Sequence, residues 1–163
     1  DVIVWGARGY PGAIRSPEMY GWLDIEHLTN DIRGVSVKTP LKDPTNDLII
    51  VGAFTFKRLK DFFDSVKRMK DRGALINQEY YVDTAINDAI ALGYKCKVFE
   101  IKHYICWGTP NDLKTFEYWQ SCFHKWQSHP YSLDKDANIP KNKIKELKDR
   151  YEHTTPKKHQ IAS

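Results

Sequence analysis

The chain opens on a short apolar run, Val2–Trp5, rich in β-branched residues, which predicts a buried strand. The Gly- and Pro-marked stretch GARGYPGAIRSPEMYG predicts a loop. GWLDI predicts a second strand and HLTND a turn. In RGVSVK, Val35 and Val37 alternate with Ser36 and Lys38, the pattern of a half-buried strand. TPLKDPTND has loop chemistry. Leu48–Phe56 is a nearly continuous apolar run with Gly52 at its centre. A Gly inside a strand often marks close approach by a ligand or another backbone.

The period then lengthens. Leu59, Phe62, Phe63, Val66 and Met69 recur at helical spacing with charged residues between them, and Gly73 makes a good stop. After ALINQEYY a second helix is expected, capped by Asp83 or Thr84, with Ala85, Ile86, Ala89 and Ile90 on its apolar face and Gly93 at its end. YKCKVFEI alternates as a strand. Thr109, Pro110 and Asp112 then form a capping box at the start of a third helix. Leu113, Phe116, Trp119, Phe123 and Trp126 line one face of it, read as packing. A last short helix over Lys141–Glu152 has Ile144, Leu147 and Tyr151 as anchors. There are no internal repeats. The order β-β-β-β-α-α-β-α predicts a mixed sheet covered by helices, in an α/β or α+β domain.

Composition narrows the class. A chain of 163 residues, 41% hydrophobic, is long enough for one domain with a real core and is not disordered by composition. The net charge is +4, and residues 134–163 hold eight Lys or Arg against five Asp or Glu. That polar, basic tail reads as a solvated extension, not a nucleic-acid arm. No run is apolar enough to span a bilayer, and the acidic start lacks the pattern of a signal peptide. The absence of an initiator Met points to a fragment or a processed chain. Three Cys (Cys96, Cys106, Cys122) do not make a complete disulfide framework, so a reducing cytoplasm is expected. His103, Cys106, Cys122 and His124 are zinc-type ligands, but Cys122 and His124 on one helix would point about 200° apart.

Elementary chemistry supplies a starting hypothesis about function. The Gly-Thr turn at 108–109 feeds a helix N-terminus, where free N–H groups and the dipole suit phosphate. Gly52 offers a strand surface on which a sugar-like ligand could lie. Glu79, Tyr80, Tyr81 and Asp83 cluster at the start of a helix, and aromatic faces beside carboxylates are typical carbohydrate contacts.

These features, in this order, resemble the sugar-phosphate nucleotidyltransferases, the NDP-sugar pyrophosphorylase type. PEMYGW (17–22) is similar to the family's P-x-x-Y-G, and VSVKTP (35–40) to v-x-E-K-P. LIIVGAFTF matches y-x-v-x-G-x-y-x-f without gaps, and INQEYYVDTAI resembles x-x-G-E-Y-Y-I-T-D-x-I. YICWGTPNDL resembles x-x-W-x-D-x-G-T-P-x-d-L. The resemblance implies a mixed, mainly parallel α/β nucleotide-diphospho-sugar transferase-like fold, flanked by helices and incomplete at its N-terminal side. Residues 1–130 would be the C-terminal portion of the domain and 131–163 the polar basic tail. It also implies the reaction. A sugar 1-phosphate attacks the α-phosphorus of an NTP to give NDP-sugar and pyrophosphate, with Mg²⁺, in nucleotide-sugar and polysaccharide biosynthesis. Sugar phosphate and NTP are the implied partners, without nucleic acid or membrane, and a homo-oligomer is compatible.

Position by position, Lys38 stands where the family has the Glu that contacts the sugar, which hints at an anionic or unusual substrate. Ile50 and Gly52 match the strand beside the sugar ring. Glu79, Tyr81 and Asp83 match the segment that lines the sugar pocket, with Asp83 at the family's Thr position. Trp107, Gly108 and Thr109 match the W-G-T motif, and Cys106 falls where many members have a metal-binding Asp. A thiol is a poor Mg²⁺ ligand, so no metal ligand is identified in this chain. The family's G-x-G-x-R phosphate loop and its upstream metal-binding Asp have no counterpart here. The chain is therefore expected to carry the sugar-side wall and to be inactive alone. Two alternatives are a glycosyltransferase, whose Asp-x-Asp would have to be Asp134–Asp136 in the tail, and a non-catalytic module that binds a sugar phosphate or a partner.

Overall fold

The structure is a computed structural model that describes residues 1–125 and 132–153. The chain forms two compact units, Asp1–Tyr104 and Ile105–Ser163. The first contains strands β1 (Val2–Ala7), β2 (Gly21–Glu26), β3 (Asp31–Val37), β4 (Leu48–Phe56) and β5 (Cys96–Glu100). Its helices are α1 (Pro11–Arg15), α2 (Leu59–Asp71) and α3 (Val82–Ala91). The order agrees with the hydrophobic pattern, except that the stretch read as a loop before β2 also holds α1 and a 3₁₀ turn at Pro17–Met19.

The expected mixed, mainly parallel open sheet is not what forms. The five strands close into a small barrel in the order β1-β4-β2-β3-β5. Only β1 and β5 are parallel; the other neighbours run antiparallel. The short turn at 26–31 makes β2 and β3 a hairpin, and a hairpin is antiparallel by construction. Two irregularities bend the sheet enough to close it. In β4, three residues (Val51, Gly52 and Ala53) face the single Trp5 between the pairs Val4–Phe54 and Gly6–Ile50. The second lies between Asp24 and Ile25 on β2. Bulges of this kind add twist and re-aim a strand. Gly52 has φ +82°, so its role in the bulge is conformational, and a Cβ there would enter open space.

The barrel interior is apolar: Val2, Val4, Leu23, Ile25, Ile32, Leu48, Ile50, Cys96 and Val98, closed off by Ile86 and Ala89 of α3. Gly6 is part of this packing, because a Cβ there would lie 3.2 Å from the Ile49 carbonyl, Leu23 and Val98. Trp22 and Ile49 point the other way and form a second cluster with Ala7 and Ala13.

β3 pairs with β5 at one position only, Asp31–Lys97. Further along that edge the backbone is satisfied by α3. Val35 N–H donates to Asn87 Oδ1 at 2.8 Å, and Asn87 Nδ2 donates to the Val35 carbonyl at 2.8 Å. An Asn amide thus takes the place of a neighbouring strand. On its other side α3 is tied to the end of α2, where Arg72 donates to both oxygens of buried Asp88 at 2.7 and 2.8 Å. Asp88 holds the Arg72 guanidinium above its ordinary pKa.

α2 departs from its pattern. Leu59 and Phe63, expected on the buried face, are 70% and 58% exposed, while Asp61, Ser65 and Met69 are buried. Burial of the polar pair is tolerated because both are bonded: Arg58 Nε donates to Asp61 at 3.0 Å, and Ser65 Oγ to the Asp61 carbonyl at 2.6 Å. Gly73 and Gly93 end α2 and α3 at φ +64° and +83°, as their positions predict.

The second unit holds α4 (Pro110–Lys125) and α5 (Ile144–His153). The capping box forms as predicted. Asp112 N–H donates to Thr109 Oγ1 at 3.2 Å, and Thr109 N–H donates back to Asp112 Oδ2 at 3.0 Å. Of the aromatic stripe, Phe116 is half-buried and packs on Trp107 with ring centroids 4.9 Å apart. Leu113, Trp119 and Phe123 are exposed. Trp126 lies outside the described residues, as do the side chains of His124 and Tyr151. No described helix is long and apolar enough to cross a membrane.

Candidate functional site

Four of the residues singled out in the sequence, Lys38, Glu79, Tyr81 and Asp83, meet in the first unit, while Ile50 is buried in the barrel interior beneath Gly21. The clamp on α3 is what brings them together. With Asn87 fixed to β3 and Asp88 to α2, the N-terminus of α3 lies beside the start of β2 and the end of β3. Tyr81 precedes the helix as its N-cap without a side-chain cap, and Asp83 sits in its first turn. The expected capping by Asp83 or Thr84 therefore does not occur. Asp83 is turned onto Gly21 instead: a Cβ at position 21 would collide with Asp83 Oδ2 and lie 3.2 Å from Ile50 Cδ1.

Lys38 follows β3 in the left-handed region, φ +61°, an uncommon conformation for a residue with a side chain. Its N–H donates to the Tyr20 carbonyl at 3.0 Å. Its Nζ donates to the Met19 carbonyl at 2.8 Å and stands 5.6 Å from the centre of the Tyr81 ring. The Tyr81 hydroxyl donates to Glu79 Oε2 at 2.7 Å. Glu79 is aimed by a two-residue turn in which Ile76 and Glu79 exchange backbone hydrogen bonds of 2.9 and 3.0 Å. That turn puts Asn77 and Gln78 at φ +49° and +65°. Three of the four described non-glycine residues with positive φ thus border this cluster, and strained backbone concentrates at binding and catalytic sites.

The electrostatics are uneven. Desolvation raises the Asp83 pKa, against a smaller lowering by its own backbone N–H and by Lys38. Lys38 is close enough to act on the charge, yet no ion pair joins the two among the described residues. The Tyr81 phenol is raised, first by its bond to Glu79 and then by burial. The result is one cation already held by a carbonyl and a ring, one carboxylate held by a phenol, and one desolvated carboxylate held only by its own backbone.

The remaining candidates are placed differently. Gly52 lies in the β4 bulge, two residues beyond Ile50. Trp107, Gly108 and Thr109 belong to the second unit and precede α4, with Thr109 as its cap. Cys106 Sγ accepts the Gly108 N–H at 3.3 Å. Among the described residues no three His, Cys, Asp or Glu side chains converge as a metal site would require. Cys106 offers a thiol, a poor ligand for Mg²⁺, which takes oxygen ligands. Asp134 accepts Lys148 Nζ at 2.8 Å, and Asp136 accepts the Asn138 N–H at 2.9 Å, so both carboxylates of the candidate Asp-x-Asp are engaged locally.

Three residues of the cluster were not singled out in the sequence. Gly21 clears the seat for Asp83, Met19 supplies the carbonyl for Lys38, and Asn87 fixes α3. Gly21 had a visible signal, a glycine at the start of a strand between Tyr20 and Trp22. Nothing local marks the other two.

The first unit is thus a small mixed β-barrel with a polar cluster where the N-terminus of α3 meets the start of β2 and the end of β3. No protein-family model matches the chain, and no curated protein matches it significantly. Among solved structures it is similar to the nucleoside-diphosphate-sugar pyrophosphorylase from Vibrio cholerae RC9, with a TM-score of 0.59 and 20% identity. The match covers 71% of this chain and 46% of that one, so this chain spans less than half of its neighbour. At that identity the likeness is one of fold.

Proposed function

We propose that this chain is the sugar-side part of a nucleotidyltransferase that joins a sugar 1-phosphate to an NTP, giving NDP-sugar and pyrophosphate. The observation that carries the reading is that Lys38 comes together with Glu79, Tyr81 and Asp83 at the start of α3, with Asp83 seated on Gly21. The fold likeness to a pyrophosphorylase supports it. In this reading Tyr81 borders the sugar, Asp83 and Lys38 offer it an acceptor and a donor, and Ile50, buried in the barrel, supports the site from beneath Gly21. Phosphoryl transfer depends mainly on positioning and charge compensation. This chain contributes positioning; magnesium is expected for the full-length enzyme, and no ligand for it is identified in this chain. Gly6–Gly12 ends in α1 and supplies no phosphate loop, so the chain alone does not turn over.

The test is thermal shift of the chain with sugar 1-phosphates and NTPs, followed by a turnover assay. Stabilisation by sugar 1-phosphates that is lost in Tyr81→Ala, without turnover, is the expected result. Turnover well above background would refute the inactivity of the chain. No shift with any sugar 1-phosphate would favour the alternative of a partner-binding module, a reading motivated by Cys106 at the metal carboxylate's position. The glycosyltransferase alternative is disfavoured by the engagement of Asp134 and Asp136.

A further inference from the structure

We infer that the sugar taken at this site carries a free, protonated amino group, and that Asp83 is the residue that selects it. The inference rests on the sugar-phosphate reading above and specifies its substrate. Lys38 in place of a carboxylate hints, in sequence, at an anionic substrate. Its placement removes that hint. The Lys38 ammonium is directed to the Met19 carbonyl and lies near the face of Tyr81, both of which partly satisfy it. Glu79 is likewise engaged, by the Tyr81 hydroxyl.

Asp83 is the group left in need of a partner. It is half-buried, and Gly21 is what makes room for its Oδ2. No described side chain donates to it. A desolvated carboxylate gains most from a donor that also carries positive charge. The three ionisable side chains besides Tyr81 (Lys38, Glu79 and Asp83) sum to one negative charge when ionised, which favours a cationic group over an anionic one. A ligand ammonium would supply both donor and charge. A neutral hydroxyl would supply only the donor, and a carboxylate would add a second unpaired anion.

The experiment is isothermal titration of this chain, at neutral pH, with glucosamine 1-phosphate, N-acetylglucosamine 1-phosphate, glucose 1-phosphate and glucuronic acid 1-phosphate. The set is repeated on Asp83→Asn, whose folding is checked by thermal unfolding. A charge-assisted bond to Asp83 makes the amino sugar bind about tenfold or more tighter than glucose 1-phosphate, with the acidic sugar weakest. Asp83→Asn is expected to erase that ranking. Equal or tighter binding of a neutral, acetylated or acidic sugar overturns the inference and leaves the sugar-phosphate reading standing, as does a ranking that survives in Asp83→Asn. No binding by any of the four overturns both.

Discussion

The Asp83 carboxylate occupies the space that a side chain at position 21 would need. A Cβ on Gly21 would collide with Asp83 Oδ2 and press on Ile50 Cδ1 at 3.2 Å. Two residues far apart in sequence are therefore coupled by shape. Gly21→Ala should destabilise the fold by about 1–3 kcal/mol through overpacking and displace Asp83 from its seat. Adding Asp83→Ala should recover most of the stability without recovering ligand binding. Urea unfolding of the two single variants and the double variant measures this coupling, and additive losses would show that the two positions do not interact.

Asp83 also gives a pH signature. Its folded pKa is raised above the ordinary 3.8 by desolvation, so the folded state holds the proton more tightly than the unfolded one. Stability from this group is full below that ordinary value and is lost as pH rises through the raised one. Asp83→Asn removes the penalty. The variant should melt higher than the parent at pH 7 and no higher at pH 3, as read by thermal unfolding at the two pH values. A carboxylate that destabilises its own fold is what a site held ready for a ligand would contain.

How far these features can be read from sequence differs from one to the next. The strands at Val2–Ala7 and Cys96–Glu100, and the stops at Gly73 and Gly93, follow from local period and from the need for positive φ. Strand pairing does not, because local alternation fixes which face a residue takes and not which strand lies beside it. The barrel depends on a bulge where three residues of β4 face Trp5. Part of the buried face of α2 escapes an apolar pattern: Phe62, Val66 and Met69 face inward as expected, but Asp61 and Ser65 are buried too, held by hydrogen bonds that such a pattern does not register. Within the site, Glu79, Tyr81 and Asp83 are adjacent in sequence and visible. The resemblance also points to Lys38, but that its ammonium lies by the Tyr81 ring, and that Gly21 makes room for Asp83, emerges only from the tertiary fold.

Asn87 replaces a strand at the open edge of β3, with two bonds of 2.8 Å to Val35. Asn87→Leu keeps the size and leaves a backbone donor and acceptor unpaired, at a cost of about 2–4 kcal/mol. Hydrogen exchange should show the Val35 amide losing protection in this variant well before the β2 amides do. Unchanged protection at Val35 would mean that the side chain is not its partner.

The turn that aims Glu79 holds Gln78 at φ +65°. A left-handed conformation costs a side-chain-bearing residue about 1–2 kcal/mol, of which the extra chain entropy of glycine returns about 0.5–1. Gln78→Gly should therefore stabilise the fold slightly, by about 0.5–1 kcal/mol. Its effect on ligand affinity should be small, because the Glu79–Tyr81 bond does not involve the Gln78 side chain. A melting temperature that falls would contradict the assigned turn.

The central claim is that Lys38, Tyr81 and Asp83 form one ligand site for a sugar phosphate. Its most direct test is an NMR titration of the ¹⁵N-labelled chain with glucosamine 1-phosphate. The account predicts that the amides of Gly21, Lys38, Tyr81 and Asp83 shift together along a single saturable curve, with the far ends of β2 and β3 near Asn30 unmoved. Saturable shifts confined to other parts of the barrel, or none at any concentration, would contradict it.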